Sequence, residues 1–508
     1  MEYYWLLLAL ISTLATAFIS KLFKPYRQPQ QKLQLPGPKP WPIIGNLHLL
    51  GSIPHQSLHH LSQKHGEIML LKFGKFPVVV ASSPKMAEQF LKVHDAAFAS
   101  RPPALAAGKH ISYNNSDISF SPYGPYWREA RKILMSQLLN TKKLDQHERI
   151  RVEERRTLFA RLRALSGKPV VLREHLSRYT LSTICRMVLT NKYVGELDEE
   201  GTIIDEHGMA EMMREWFVLN GVFNIGDWIP WLGPLDLQGY VKKMKAFRKK
   251  SDWFFGFVID DHLAKRARGG GDADFVDALL EIAEDPNAQL ELTRDCLKSL
   301  IMNVVLAGPD TSITAVEWAI HEMLRQPQII EKAREELERV IGRHKWVEEN
   351  EFTKLPYIDA IIMETFRLHP LATLLPHYAI KDCNVAGYHI SKGTTVLVNT
   401  WSTGRDPITW DRAEEFVPER FVGKQTDMTG SNFALLPFGS GRRMCPGYNL
   451  GLKIVRTTLA NLLHGFELKL DEGMRNEDVS MEEQYGLATN PKHPVSIVMK
   501  PTLPTHLY

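Results

Sequence analysis

The chain has 508 residues, 44% of them hydrophobic and 24% charged, with a formal net charge of +4. That length supports a large buried core, and so small and evenly spread a positive balance excludes nucleic acid as the expected partner. The only cysteines, Cys185, Cys296, Cys383 and Cys445, lie far apart, which excludes a disulfide framework and fits a reducing compartment.

From Tyr3 to Ser20 there is no charged residue, close to the length a helix needs to cross hydrocarbon. Tyr3, Tyr4 and Trp5 suit an interfacial belt. Lys21, Lys24, Arg27 and Lys32 follow the run and only Glu2 precedes it, so the positive-inside bias leaves the rest of the chain in the cytosol. The competing reading is a cleaved signal peptide with Ala15-Thr16-Ala17 as its processing site; the missing basic n-region and the long apolar run favour a retained anchor. The stretch Leu35-Pro36-Gly37-Pro38-Lys39-Pro40-Trp41-Pro42 then precludes regular helix and predicts a stiff, extended connector.

Two short apolar runs, Ile68 to Leu71 and Val78 to Ala81, flank Gly74 and Pro77 and predict a small β unit. Elsewhere helical patterns dominate. One starts after Thr293, a fitting N-cap, and runs to Gln326, where Pro327 stops it. A second covers Ile358 to Leu368 before Pro370, and a third Gly447 to Leu463; Gly269-Gly270-Gly271 predicts a surface loop. The fold class is mainly α, an α+β protein with a minor sheet near its start.

The strongest chemical signal is the run Phe438-Gly-Ser-Gly-Arg-Arg-Met-Cys445-Pro-Gly447. It sets one cysteine in a glycine-rich loop with Arg443 and no second cysteine or histidine nearby. Zinc is disfavoured because the other ligands are missing. A lone thiolate presented by such a loop suits haem iron: glycines allow close approach to a flat macrocycle, and amide N–H groups with nearby positive charge favour the deprotonated sulfur. A thiolate ligand steers haem towards O–O cleavage. A buried structural cysteine is the plain alternative, but packing alone does not call for the Phe, Gly, Arg and Gly frame.

Three further groups fit that reading. Ala307-Gly308-Pro309-Asp310-Thr311-Ser312 interrupts an apolar helix, and Pro309 predicts a kink. Asp310 and Thr311 would then offer a carboxylate and a hydroxyl for proton delivery; the alternative is a bend made for packing, with Thr311 bonded to an upstream carbonyl. Glu364 and Arg367 lie one helical turn apart, and Arg420 in Pro418-Glu419-Arg420-Phe421 would complete an ion network that positions the cysteine loop. Trp127 and Arg131 share a helix face, so an indole N–H and a guanidinium could both bond a haem propionate, with Arg443 and His377 as further candidates.

Taken together, the proline hinge, Trp127 and Arg131, Ala307 to Ser312, Glu364 and Arg367, Pro418 to Phe421, and Phe438 to Gly447 resemble the cytochrome P-450 family, specifically its plant microsomal, flavonoid-hydroxylase-like members. The resemblance implies that family's largely helical fold and haem b. It also implies electrons from NADPH through a membrane-bound cytochrome P-450 reductase, and an endoplasmic-reticulum enzyme facing the cytosol. Residues 1–23 are then the anchor, 24–45 the linker and hinge, and 46–508 the catalytic domain. Lys132, Lys142, Arg442 and Lys453 are candidates for the surface that meets an acidic reductase.

By position in the family, residues 102–120, 217–223, 303–306 and 371–375 should wall a mainly apolar substrate pocket, with Phe120, Phe217, Val304, Ala307, Leu371, Thr373 and Leu375 as named candidates. The segment Leu371 to Leu375, between Pro370 and Pro376, is one residue shorter than the usual family spacing, and Pro309 stands where many relatives keep an amide. The expected function is a monooxygenase acting on a plant specialised metabolite, a phenylpropanoid-derived flavonoid or lignan ahead of a terpenoid. A peroxide-consuming haem-thiolate isomerase or dehydratase and a non-catalytic haem or ligand carrier are the alternatives.

Overall fold

The computed structural model describes residues 34–103, 105–190, 193–195, 202–270, 274–424 and 426–508. The expected anchor, the first part of the linker and Gly271 lie outside them. The described chain is mostly helical with several small sheets.

The expected β unit forms as β1 (Ile68–Phe73) and β2 (Phe76–Ala81), antiparallel from Ile68↔Ala81 to Phe73↔Phe76. It does not stand alone. β3 (Leu374–Tyr378) and β4 (Thr395–Asn399) come from far along the chain, and β4 joins β2 in parallel with Val78 opposite Thr395. β3 then closes the four-stranded sheet against β4, with Leu375 opposite Val398. β4 is buried along its whole length, as expected for a strand covered on both faces. The proline-rich segment is also more than a connector. The Pro36 carbonyl accepts from Leu70 N at 2.8 Å, and Asn46 exchanges bonds with the Lys72 backbone at 2.6 and 2.8 Å, so the hinge is laid along β1.

Six helices position the site: α1 (Pro125–Leu134), α2 (Leu172–Leu189), α3 (Glu206–Gly221), α4 (Arg294–Arg325), α5 (Pro356–Leu368) and α6 (Tyr448–Gly465). α4 is the axis of the molecule. Its 32 residues span about 48 Å at helical rise. Thr293 caps it by accepting from Cys296 N at 3.3 Å, an interaction worth roughly 1 kcal/mol. It stops at Gln326 because the residue before a proline is steered out of the helical region. α4 is long and apolar enough to cross a membrane, but most of it is buried in this fold, which makes it a core helix.

The helix runs unbroken through Pro309, where the sequence predicts a kink. Proline has no N–H to give the Val305 carbonyl. Next to that gap, Thr311 Oγ1 turns back to the Ala307 carbonyl (3.1 Å) and Ser312 Oγ to that of Gly308 (3.4 Å). Gly308 faces α2, and a Cβ there would lie 3.3 Å from Ile184 Cδ1. Its missing side chain thus lets the two helices approach.

Candidate active site

Cys445 lies in the loop that leads into α6. Its amide donates to the Phe438 carbonyl at 2.8 Å, closing the run into a tight loop. Gly439 and Gly441 take left-handed φ angles of 69° and 66°, open to glycine without the Cβ penalty. At Gly441 a Cβ would also run into the Leu91 carbonyl oxygen and the Asp95 carboxyl. Asp95 holds this turn from outside, accepting from Arg442 Nη1 at 2.7 Å. Gly447 has an ordinary φ of −86° and serves as the N-cap of α6. The Phe438 ring packs edge-on against Phe366 of α5, centroids 5.7 Å apart, and ties the loop to the core.

Cys445 is exposed although the Gly447 amide and the Arg131 guanidinium lie close to its sulfur, which fits a side chain on the wall of a cavity. α4 supplies a second wall. Between Ser299 and Leu324 every residue is buried except Val304, Ala307, Gly308 and Thr311, whose spacing puts them on one helical stripe. Leu371 and Leu375 are likewise only half-buried, and Leu375 Cδ1 would lie 3.7 Å from a Cβ on Gly439. Phe120, Phe217 and Thr373 are buried instead. Thr373 Oγ1 meets Thr489 Oγ1 at 3.3 Å, and the Phe217 carbonyl accepts from Leu487 N at 3.2 Å.

Burial pushes the Cys445 thiol up, and the Gly447 N–H and the Arg131 guanidinium pull it down only in part. The amide and the guanidinium are the groups expected to favour the deprotonated sulfur, and they act here against burial. Iron would complete the deprotonation, since a coordinating thiol gives up its proton outright.

One side of this region collects positive charge. Arg131 and Arg443 both lie over the Trp127 ring, their guanidinium carbons 5.4 and 4.4 Å from the centroid. Arg443 donates to the carbonyls of Ala99, Ile118 and Ser121, and Arg101 to those of Ser119 and Pro376. Among the described residues none of these three arginines is paired with a carboxylate. Burial, aggravated by Arg101, pulls Arg443 down to about 8; burial pulls Arg101 to about 10. Arginine does not release its proton in practice, so burial leaves positive charge here that an incoming anion would offset. A flat group with carboxylate arms and an iron that accepts sulfur fits this donor set.

Two of the expected propionate ligands also make contacts within the protein. The Trp127 N–H donates to the Ile118 carbonyl at 3.0 Å, leaving its ring face to the arginines. His377 Nδ1 faces the Phe98 carbonyl at 3.1 Å, and burial next to Arg101 pulls its pKa down to about 3, so it is neutral. Arg101 was not singled out from sequence; its place directly before Pro102-Pro103, at the start of the expected pocket wall, is the only signal it gives.

The expected ion network forms in full. Arg367 Nε and Nη2 grip both Glu364 oxygens at 2.7 and 2.9 Å, and Arg420 Nε adds 2.9 Å to Oε1. Glu364 and Arg367 side chains are wholly buried. The remaining guanidinium donors go to the carbonyls of Gly404, Ala413 and Glu415. The network thus fixes the 404–417 segment and reaches the cysteine loop only through neighbouring Phe366. Removing Glu364 would strand two buried cations, a loss on the order of 3–5 kcal/mol.

Asp310 and Thr311 part company. Thr311 faces the cavity with its hydroxyl bonded back to the helix, as in the packing alternative. Asp310 is buried and accepts from Arg173 Nη2 of α2 at 2.8 Å. Arg173 carries no sequence signal, because its partners lie more than a hundred residues away.

The matched family profile is Cytochrome P450, over residues 35–498. The chain belongs to the cytochrome P450 family. It is 42% identical to trimethyltridecatetraene synthase of Zea mays, covering 98% of this chain and 94% of that one. It is 41% identical to flavonoid 3'-monooxygenase of Petunia hybrida, covering 93% of each. A solved zebra fish cytochrome P450 with progesterone superposes with a TM-score of 0.75 at 25% identity, over 88% of this chain and 99% of that one. This P450 is a haem-dependent monooxygenase supplied with NADPH-derived electrons.

The basic residues expected to meet a reductase divide. Lys132 and Lys142 are exposed, Lys132 beside Glu129 at 3.3 Å. Arg442 is paired with Asp95 and Lys453 with Glu349 at 2.6 Å, its side chain turned largely inward. Arg442 stays exposed all the same, whereas Lys453 is mostly covered.

Proposed function

We propose that this P450 oxidises a small plant specialised metabolite of low polarity, with a terpenoid-type substrate ahead of a flavonoid. The observation that carries this order is that the polar side chains which the 303–311 and 371–375 stretches bring to the expected wall are bonded within the protein. Thr311 is tied to Ala307, Thr373 to Thr489, and Asn303 to Ile118 N and Asp117 at 3.0 and 3.3 Å. Val304, Ala307, Leu371 and Leu375 supply the rest. A site built to recognise phenolic hydroxyls keeps free partners for them. Two of the similar chains are named for branched polyenes, which supports the same order; the flavonoid 3'-monooxygenases among them support the second reading.

In this reading Cys445 would supply the sulfur that holds the haem iron, and Phe438, Gly439, Gly441 and Gly447 shape its loop. Arg101, Arg131 and Arg443 would hold the carboxylate arms, with Trp127 as the platform beneath two of these arginines and His377 filling behind. When bound, haem on a thiolate supplies the oxidising power that dioxygen and two electrons generate. Asp310 supplies protons, and Thr311, on the cavity face with its hydroxyl on the Ala307 carbonyl, marks their exit. Glu364, Arg367 and Arg420 keep the loop in place. Residues 1–23 anchor the enzyme in the endoplasmic-reticulum membrane with its body in the cytosol, where a flavoprotein reductase meets it.

The test is turnover in microsomes carrying this chain and a plant reductase, given NADPH, labelled oxygen and a panel of terpenoids, flavonoids and lignans, read by mass spectrometry. The expected result is an NADPH-dependent product from the terpenoid arm. Products from the flavonoid arm alone would reverse the order. A peroxide-driven conversion without NADPH, or no product from a sample with an intact carbon-monoxide band, would overturn the reading.

A further inference from the structure

Asp310 and Glu317 lie seven residues apart on α4 and so share one face. α2 presents Arg173 between them: Nη2 donates to Asp310 Oδ1 at 2.8 Å and Nη1 to Glu317 Oε2. One guanidinium thus faces two buried carboxyls, and the fully ionised trio would carry an excess negative charge in a dry setting. Glu317 Oε1 is buried with no hydrogen-bond partner. An oxygen in that position disfavours the ionised form, and burial together with nearby Asp310 pushes Glu317 up against the pull of Arg173 and His321. His321, one turn on, faces the carbonyls of Glu317 and His493 at 2.8 and 3.2 Å. On the outer side a small cavity, with room for about one water, is lined by Arg173, Glu317, Leu176 and Val495.

We propose that Arg173 is a positioning residue that holds Asp310 in a proton-holding trio with Glu317, so that each proton Asp310 gives up is restored from Glu317 on the side of α4 facing away from the haem cavity. The reaction RH + O2 + two H+ + two electrons → ROH + H2O consumes its protons from solvent and its electrons from NADPH. The trio holds one proton, on Glu317, while Asp310 is the carboxylate gripped by Arg173. Glu317 passes that proton through water to Asp310 and ionises, Asp310 gives it up towards the cavity and is a carboxylate again, and solvent entering the outer cavity protonates Glu317 once more. The trio returns to its starting charge.

This rests on the reading of Asp310 as the proton donor. The probe is cumene hydroperoxide with the haem-loaded enzyme, because it needs neither reductase nor the natural substrate. Heterolytic cleavage, which needs a proton for the leaving alkoxide, gives cumyl alcohol; homolytic cleavage gives acetophenone. Asp310→Asn should lower the alcohol-to-ketone ratio severalfold, Arg173→Gln should do nearly the same, and the double variant should fall no further. Arg173→Lys should recover part of the ratio, with the carbon-monoxide band intact throughout. Independently of turnover, infrared spectra at neutral pH should contain one buried carboxylic-acid band, lost in Glu317→Gln and retained in Asp310→Asn. An unchanged ratio in Asp310→Asn would defeat the donor reading itself. A normal ratio in Arg173→Gln beside a lowered one in Asp310→Asn, fully additive losses, or no infrared band assignable to Glu317 would overturn the trio alone.

Discussion

Arg131 illustrates how one side chain can be costly in isolation and useful in company. It is desolvated, its main recorded contact is the Trp127 face, and the nearest positive neighbour, Arg443, shares that ring. A desolvated cation over a buried indole gains about 2 kcal/mol, against the cost of burying a charge with no carboxylate partner, so an anion that arrives beside it removes most of that cost. Arg131→Gln should therefore leave the stability of the haem-free protein nearly unchanged while speeding haem loss to apomyoglobin severalfold. Equal haem retention in the variant would remove Arg131 from the propionate site. Glu364 is the opposite case: every partner it needs is already present, and its role is complete without a cofactor.

Along α4 the functional and structural demands sit on different faces. Val304, Ala307, Gly308 and Thr311 border the cavity, Asp310 and Glu317 turn to Arg173, and Gly308 also presses on Ile184. Pro309 costs the helix one backbone bond, and an interior proline is unfavourable by about 3 kcal/mol. Pro309→Ala restores the N–H that Val305 lacks, so it should raise the thermal midpoint. If the loosened turn is what frees Thr311 to leave the Ala307 carbonyl, the same variant should also divert electrons from product to peroxide. A lower midpoint would mean that Pro309 relieves strain at the α2 contact.

At the scale of the whole molecule, distant segments are joined by buried ion pairs. Arg151, on the helix Glu148–Ala164, grips Glu349 through two bonds of 2.6 and 2.8 Å, and Lys453 of α6 adds a third at 2.6 Å. Burial pushes Glu349 up, but these cations outweigh it and hold the carboxyl below its ordinary value. A depressed folded value means stability that is present above the unfolded pKa and lost as pH falls through the folded one. Urea unfolding should show Glu349→Gln less stable than the parent at neutral pH by about 3–5 kcal/mol. That gap should close as pH drops below about 4; a gap independent of pH would assign the loss to packing.

The sequence determined what local chemistry can encode. Thr293 and Pro327 bound α4, Pro356 and Pro370 bracket α5, and the run from Phe438 to Gly447 marks the cysteine loop, because caps, prolines and left-handed glycines act within a few residues. The triad of Glu364, Arg367 and Arg420 was legible because two members share a helical turn and the third stands beside its own proline. Tertiary structure alone decided the rest. The parallel pairing of β2 with β4 joins residues some three hundred positions apart. Arg173 reached Asp310, Arg101 came to lie near Arg443, and the Trp127 N–H met the Ile118 carbonyl. These contacts depend on how helices and sheet pack around one core, and the desolvation that gives buried charges their meaning exists only once that core has formed.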